Sequence, residues 1–277
     1  MILSFHPLID KDENRLCAGR LPNDADLKAI QAADAVILPQ GCYESLYDMA
    51  RNNCPHVFPD YDARFHFPGK SGQARLFQKT GVPHPKTDIY ADVADFRVRG
   101  GLSRIGFPAV FKFDWGGEGE SVSLIKTPTD LAEILTKAER FEKTGQRGFV
   151  LQAYIPTAGR SLRIVVIGRR LFSYWRVSAD ATAFSTGISA GARIEPDLDP
   201  GLQLRAKEGV STFCNRTQIN LAGFDILFSL NDSGGYLNTP LFLEINYFFG
   251  RRGLGGSTAY HRLFAEAVED WIGALGL

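Results

Sequence analysis

Apolar positions at the start of the chain occur in short blocks separated by polar turns. Residues 35–38 form an apolar run that ends at Pro39, which is typical of a short buried strand. The spacing that follows predicts a helix over 43–52 and a second strand at 57–58. This strand–helix–strand pattern indicates a short α/β domain at the N-terminus, to which we assign residues 1–68.

Hairpins outnumber β-α-β crossovers in the rest of the pattern. The predicted helices cover residues 71–79, 128–143, 202–221 and 259–275. The predicted strands cover residues 109–113, 121–125, 149–154, 161–167, 171–177, 224–230 and 241–245. The last two strands are joined by Asn-Asp-Ser-Gly-Gly at 231–235, a composition typical of hairpin turns. Antiparallel pairing of this kind favours an α+β domain behind the α/β start.

Composition narrows the class of protein. The 31 basic residues balance the 31 acidic ones, so bulk charge indicates neither a nucleic-acid partner nor a membrane surface. We also expect no signal peptide, because Asp10, Lys11 and Asp12 appear early, and no apolar run is long enough to span a bilayer. The four cysteines form no C-x-x-C pair, which indicates reduced thiols and a cytoplasmic location.

Two short motifs resemble catalytic signatures but lack the required context. Gly69-Lys70-Ser71 looks like the end of a phosphate-binding P-loop, yet Arg64 stands where the first glycine is needed. The segment 187–191 matches G-x-S-x-G, whose serine would be Ser189, but Pro196 opposes the helix that a nucleophile elbow requires. The five histidines show no zinc-ligand spacing.

Two carboxylates and an amide lie on strands that we expect to be neighbours. Glu244 and Asn246 are two residues apart in a strand, so they share one face, while Ile245 packs inward. Asp225 lies in an apolar strand across the hairpin, where an acid needs a partner. The three oxygen-bearing side chains could hold Mg²⁺, or the acids could accept hydrogen bonds from arginine or backbone groups. Both interpretations stay open from this pattern alone.

A glycine-rich segment follows a lysine near the end of another predicted strand. The run Gly116-Gly117-Glu118-Gly119 permits positive φ angles and close backbone approach, so its N–H groups can surround an anion. Lys112, directly upstream, would add a point charge to a phosphate. Further cations that could face the same cleft are Arg163, Arg176 and Arg193.

The ordered set resembles the ATP-grasp superfamily, and within it carboxylate–amine ligases of the ribosomal-protein S6 glutamate ligase kind. The similarity spans about residues 70–254. Lys70 with "TGVPHPKT", "FPAVFKFDWGGEGESV", "FVLQAYI", "GRSLRIVVIG", "AGFDILFS" and "LFLEINYFFG" follow the family's motifs in order. The resemblance implies an ATP-grasp fold in which two α+β subdomains hold ATP between them. The second domain would be 69–277, with a lid subdomain at about 85–150 and a metal-binding subdomain at about 151–277.

The resemblance also implies roles for individual residues, with ATP and Mg²⁺ (or Mn²⁺) as cofactors. Lys112 and Arg163 would act in catalysis. The nucleotide would contact Lys70, Lys112, Gly116, Gly117, Gly119, Ser121, Gln152, Ala153, Tyr154 and Ile155. The metal ligands would be Asp225, Glu244 and Asn246. Substrate contacts would come from Arg176, Arg193, Arg251 and Arg252.

The implied activity is ADP-forming ligation of a small-molecule or peptide carboxylate to an amine, through an acyl phosphate. The sequence departs from the family at Ala153 and Ser161, where relatives carry acids, at Gly187, and in the segment "YFFGRRG". These departures keep a second interpretation open, a nucleotide-binding regulatory or catalytically weakened protein. Whether the chain forms a homo-oligomer is left open as well.

Overall fold

Three β-sheets organise the chain in a computed structural model that describes residues 1–101, 105–116, 121–184, 186–188 and 191–277. The first sheet is parallel, in the order β2-β1-β3-β4. Its strands are β1 (Ile2–Ser4), β2 (Glu13–Asn14), β3 (Ala35–Ile37) and β4 (Val57–Phe58). The helices α1 (Asp24–Ala32) and α2 (Glu44–Asn53) connect these strands and share an apolar core with them.

The second sheet is antiparallel and carries Lys112. Its order is β5-β8-β6-β7, formed by β5 (Thr87–Tyr90), β6 (Ala109–Phe113), β7 (Val122–Ile125) and β8 (Phe149–Ala153). The helices α5 (Val93–Val98) and α6 (Pro128–Glu142) pack on it over a core rich in phenylalanine. A capping box of Thr127 and Asp130 fixes the start of α6.

The third sheet, also antiparallel, carries the acidic residues. Its order is β11-β10-β9-β12-β13. Its strands are β9 (Arg160–Ile167), β10 (Arg170–Val177), β11 (Arg193–Glu195), β12 (Leu221–Leu227) and β13 (Leu241–Asn246). The long helix α7 (Pro200–Thr217) covers one face, and the C-terminal helix α8 (Gly256–Leu275) joins this sheet to the first one through a shared core.

Two further helices lie between the sheets. The short α3 (Asp62–His66) follows β4, and α4 (Gly69–Thr80) follows α3. Gly81 ends α4 in the left-handed conformation, as the helix-stop signal predicts. The third sheet and its helices agree with the antiparallel α+β architecture expected from the hairpin pattern, and the first sheet agrees with the α/β start.

Two neighbouring predicted elements are wrong in their extent. The helix expected over 202–221 ends at Thr217, and the next strand begins at Leu221 rather than at Phe224. Gln218 adopts a left-handed conformation (φ 60°) and caps the helix, so the apolar residues beyond it belong to the strand. The pattern also missed α1, β1, β2 and α3 in the N-terminal part, and β5, α5 and β11 further on. In the described part of the chain, no helix is long and apolar enough to cross a membrane.

Candidate active site

Lys112 lies in the middle of the second sheet with its side chain almost completely buried. Its backbone pairs with Val122 and Val150 on the two neighbouring strands, and only 8% of the residue is exposed. Its ammonium makes no hydrogen bond or ion pair with any described residue. Burial lowers the pKa of Lys112 to about 8, although Glu244 and Asp225 act in the opposite direction. A buried cation without a partner is costly unless an anion joins it, so this position suits a phosphate.

Lys70 lies in the first turn of α4 and reaches the second sheet. Its ammonium donates to the carbonyl of Gly116 and to the hydroxyl of Ser121, each at 3.1 Å. The same helix end is fastened by Asp114, whose carboxylate accepts from the backbone N–H of Ser71 at 2.6 Å. The start of α4 is therefore attached to both ends of the glycine-rich segment.

The two lysines and an acid line one narrow pocket between the second and third sheets. Its polar lining consists of Lys70, Gln73, Thr87, Lys112, Gln152 and Glu244. Lys112 comes from β6, Glu244 from β13 and Lys70 from α4, so three separate segments of the chain converge there. The convergence of Lys112, Lys70 and Glu244 agrees with the grouping expected from the sequence.

Asp225 and Glu244 are directly opposite each other on β12 and β13. Asp225 is buried, and its carboxylate accepts from Arg163 in a two-point contact at 2.6 and 3.2 Å. Arg176 approaches the same carboxylate at 2.6 Å. Burial raises the pKa of Asp225, but the charges and hydrogen bonds of the two arginines together lower it. Asp225 is thus a charged carboxylate that accepts from two arginines, and metal binding by it stays a prediction.

Glu244 and Asn246 share a face of β13, as the strand pattern predicts. The Asn246 side-chain amide donates to Asp225 at 3.3 Å, while the Glu244 carboxylate accepts no hydrogen bond from the described residues. Between them, Ile245 is buried, and both its backbone groups bond the side chain of Gln73 at 2.8 Å. Gln73 therefore ties α4 to the strand that carries Glu244 and Asn246.

The donors fit a nucleotide with a hard divalent cation. Asp225, Glu244 and Asn246 offer oxygen atoms from adjacent strands, which are ligands that Mg²⁺ prefers. Lys112 and Lys70 face the same pocket and offer positive charge to phosphate groups. No cluster of three or more His, Cys, Asp or Glu side chains suited to a metal occurs among the described residues. The predicted set contains only two carboxylates, so metal ligation by these residues stays a prediction.

The expected adenine-binding segment lies at the end of β8. The Gln152 side chain is buried and donates to the Thr87 hydroxyl at 2.9 Å. The backbone N–H of Ala153 donates to the carbonyl of Lys86 at 2.8 Å. Tyr154 and Ile155 follow the strand and are half-buried. Gln152 lines the pocket, and the adenine contacts of all four stay predictions.

The remaining predicted substrate residues are spread more widely. Arg176 lies beside Asp225 and also donates to Ser161 at 3.2 Å. The Arg193 side chain is 74% exposed on the edge strand β11, and Glu195 is the one acid within 4.0 Å of it among the described residues. Arg252 is exposed. Gly117, Gly119 and Ser189 lie outside the described residues.

Arg251 packs on the C-terminal helix. Its guanidinium lies 4.4 Å from the centre of the Tyr260 ring and 3.2 Å from Nε2 of His261. The loop that carries it passes close to the third sheet, because a Cβ atom at Gly253 would lie 2.2 Å from the Tyr174 ring. Tyr174 is directly opposite Arg163 in the sheet, so this loop borders the Asp225 cluster.

Sequence reasoning missed Gln73, Asp114 and Thr87. Gln73 and Asp114 bond backbone groups of Ile245 and Ser71, and the Thr87 hydroxyl accepts from the side-chain amide of Gln152. The only signal in the sequence is the position of Gln73, one turn after Lys70 on the same face of a helix.

Structural comparison defines the class of fold. A RimK domain protein from Sphaerobacter thermophilus superimposes with a TM-score of 0.63 at 16% identity, covering 96% of this chain and 98% of that one. D-alanine–D-alanine ligase from Bacillus anthracis gives 0.63 at 15% identity, with coverages of 95% and 86%. N5-carboxyaminoimidazole ribonucleotide synthetase from Thermus thermophilus gives 0.56 at 17% identity, with coverages of 88% and 63%. The chain has the ATP-grasp fold, as the sequence resemblance implied.

The family follows from the sequence itself. A family model described as "RimK-like ATP-grasp domain" matches residues 69–254, more than half of the chain. The chain belongs to the RimK-like ATP-grasp family. No curated protein matches it in sequence.

Proposed function

We propose that this protein is an ATP-dependent ligase that joins a carboxylate to an amine. One observation carries the proposal: the buried ammonium of Lys112, which has no partner among the described residues, lies in one pocket with Lys70 and Glu244. That pocket offers positive charge for phosphate groups and, next to it, acidic oxygen atoms for a cation. The family supports the same activity, since ATP-grasp proteins are ATP-dependent ligases that form carbon–nitrogen bonds.

The proposed chemistry has two steps. A carboxylate oxygen of the first substrate attacks the γ-phosphorus of ATP, the bond from that phosphorus to the β–γ bridging oxygen breaks, and ADP leaves. The nitrogen of an amine then attacks the acyl carbon, phosphate leaves with the bonding electron pair, and the nitrogen loses a proton. Lys112, Lys70 and Arg163 neutralise charge on the transferred group, because phosphoryl transfer depends mainly on positioning and electrostatic stabilisation.

Asp225, Glu244 and Asn246 would hold Mg²⁺, which supplies charge neutralisation at the phosphates when bound. Of the two carboxylates, that of Asp225 already accepts from Arg163, Arg176 and Asn246. The Glu244 carboxylate has no such contact with a described residue, so it can bind a metal without breaking one. Arg176 lies on the Asp225 carboxylate and is placed to contact a phosphate or a substrate carboxylate beside it. Arg251 and Arg252 follow β13, and their planar guanidinium groups suit the carboxylate of an acceptor.

A second candidate is a protein that binds the nucleotide without turning it over. The observation that favours it is the contact of Asp225 with Arg163, Arg176 and Asn246, which a metal must share or displace. Tight ATP binding without release of ADP in the presence of carboxylate and amine substrates would support this alternative and contradict ligase activity.

The test is ADP release from Mg-ATP with a panel of amino acids and short peptides, followed by identification of the amide product by mass spectrometry. We expect Glu244→Gln to abolish ADP release. The matched control is Glu208→Gln, an exposed acid on α7 without an ion pair among the described residues. Activity that survives in Glu244→Gln, or that is lost equally in Glu208→Gln, would contradict the assigned site.

A further inference from the structure

Arg64 occupies an aromatic enclosure outside the pocket described above. Its guanidinium carbon lies 5.1 Å from the ring centre of Tyr61, 4.7 Å from that of Phe65 and 5.1 Å from that of Phe248. One terminal nitrogen, Nη1, is buried and has no hydrogen-bond partner. No acidic group among the described residues lies within ion-pair distance of it. Arg64 is therefore a half-buried cation, and among the described residues its charge has only cation–π contacts with aromatic rings.

A guanidinium in this state has unused capacity for an anion. It carries five N–H donors in a planar fork that matches a carboxylate, and rings contribute only a weak attraction to its faces. Buried donors in folded proteins are nearly always paired, so an unpaired one points to a missing partner. Phe248, one of the three rings, is 61% exposed, so one wall of the enclosure is a side chain that borders solvent.

The enclosure lies where the first sheet meets the strand of the site. The residues after β3 and β4 leave the carboxyl ends of parallel strands, which is the edge where open parallel sheets bind ligands. Gly41, after β3, lies beside the Phe248 ring, since a Cβ atom added at Gly41 would lie 3.2 Å from it. Gln40 donates to the carbonyl of Tyr247 at 3.0 Å, and this contact holds the two segments together.

The enclosure is also close to Asn246, one of the predicted metal ligands. Phe248 follows Asn246 by two residues, and two residues of extended chain span at most about 7 Å. Tyr61 and Tyr247 rings lie 6.4 Å apart, so the enclosure continues to the residue next to Asn246. A small substrate anchored at Arg64 would therefore have its other end near Asn246, on the strand that also carries the pocket residue Glu244.

We propose that Arg64 and Phe248 form a subsite that binds the carboxylate of an amino-acid or peptide substrate. This inference rests on the proposed ligase function and deepens it, because it assigns the substrate class and the side chain that recognises it. Arg64 would bind the carboxylate through its guanidinium, and the rings of Tyr61, Phe65 and Phe248 would hold the guanidinium in a fixed plane.

The test measures binding by calorimetry with Mg²⁺ and a non-hydrolysable ATP analogue present. The probes are the L-amino acids and the same compounds as carboxamides, which lack the negative charge. We expect at least one free amino acid to bind wild type about tenfold or more tightly than its carboxamide, as for hydrogen bonds to a charged group. In Arg64→Met, the free acid should bind as weakly as the carboxamide does, and the carboxamide should bind as it does to wild type.

Controls separate this subsite from folding and from the ligase proposal. Arg64→Lys keeps the charge without the fork and should give an intermediate affinity, while the exposed Arg75→Met should behave as wild type. Affinity for the ATP analogue should be unchanged in all variants. The inference is overturned if no free amino acid binds wild type, if carboxamides bind equally well, or if Arg64→Met keeps wild-type affinity. Carboxylate binding without ADP release would leave the subsite standing and overturn only the ligase activity.

Discussion

At the scale of single residues, the charge of Lys112 controls the proposed phosphate pocket. Burial lowers its pKa to about 8, so the ammonium is charged below that pH and neutral above it. We expect kcat/KM for ATP, which reports groups of the free enzyme, to fall as the pH rises through about 8. Lys112→Arg should remove this fall, because a guanidinium keeps its charge in proteins. A Lys112→Arg profile that falls at the same pH would contradict the assignment.

Gly223 makes room for the arginine that holds Asp225. A Cβ atom there would lie 2.9 Å from Nη1 of Arg163 and 3.0 Å from Cβ of Phe249. We expect Gly223→Ala to reduce the free energy of unfolding by about 1–3 kcal/mol, as overpacking does in cores, and to slow ADP release because Arg163 is displaced from Asp225.

Urea unfolding and the ADP-release assay would measure these two effects. The control is Gly273→Ala in α8, where nothing lies within 4 Å of the new methyl group, so a small gain in stability, about 0.5–1 kcal/mol, is expected. Equal stability changes in the two variants would show that the absence of a side chain at Gly223 is not required for the packing of Arg163 and Phe249.

Only part of the contacts around Asp225 could be predicted from the sequence. Asp225 and Glu244 could be paired from the hairpin pattern, because both strands and their turn were evident in the sequence. Arg176 was expected to face the cleft, but its contact with Asp225 could not be predicted, because Arg176 lies on β10, which β9 separates from the strand of Asp225. That contact depends on side-chain length and sheet twist, which strand periodicity does not encode.

At the scale of elements, Gln73 joins α4 to β13. Its amide bonds both the N–H and the carbonyl of Ile245, the residue between two predicted metal ligands. We expect Gln73→Met, which keeps the volume but loses both hydrogen bonds, to raise the Mg²⁺ concentration for half-maximal ADP release by about tenfold, as for two lost hydrogen bonds.

The matched control for Gln73 is Gln31→Met, an exposed glutamine whose side chain bonds Asn53 on the neighbouring helix. It should leave the Mg²⁺ requirement unchanged. A purely structural role for Gln73 would lower stability and leave the Mg²⁺ requirement as in wild type, and this outcome would refute the positioning role.

Elements with a strong local signal were predicted and those without one were missed. The helix that begins at Pro128 has a proline in its first turn and a capping box, and its predicted range agrees closely with the observed one. The end of α7 was placed too late because Gln218, rather than glycine, takes the left-handed conformation there. Strands of two or three residues, such as β1 and β2, are too short to show a period of two.

At the scale of the whole molecule, His6 joins the first sheet to the C-terminal helix. Its ring stacks on Phe264, with centres 4.7 Å apart, and its Nδ1 accepts from the N–H of Leu8. Burial, together with the nearby His261 and Arg251, lowers the pKa of His6 to about 4 from 6.5. Folding therefore favours the neutral ring, and the stability that this group contributes is present above pH 6.5 and lost as the pH falls towards 4.

The prediction is that the urea midpoint falls between pH 7 and pH 5, and that His6→Asn reduces the fall. Asparagine offers a side-chain oxygen to the same N–H but does not titrate. The exposed His66→Asn should keep the wild-type difference. An unchanged pH dependence in His6→Asn would show that protonation of His6 does not cause the loss of stability at low pH.

The architecture as a whole was predictable from the order of motifs more than from any single one. The hairpin-rich second part and the short α/β start both appear in the three sheets. The enclosure around Arg64 was not predictable, because its four side chains come from α3, the residues beside it and the loop after β13. In the sequence, Arg64 was noted only because it stands where a P-loop motif requires glycine.

The contacts of Lys70 have one more consequence. An ammonium has three N–H bonds, and Lys70 uses two of them on neutral oxygen atoms, those of Gly116 and Ser121. A phosphate can thus be added as a third acceptor without releasing either of the first two. Binding of the nucleotide would then strengthen the existing contact between α4 and the second sheet. The site would be closed over the nucleotide whenever the nucleotide is bound.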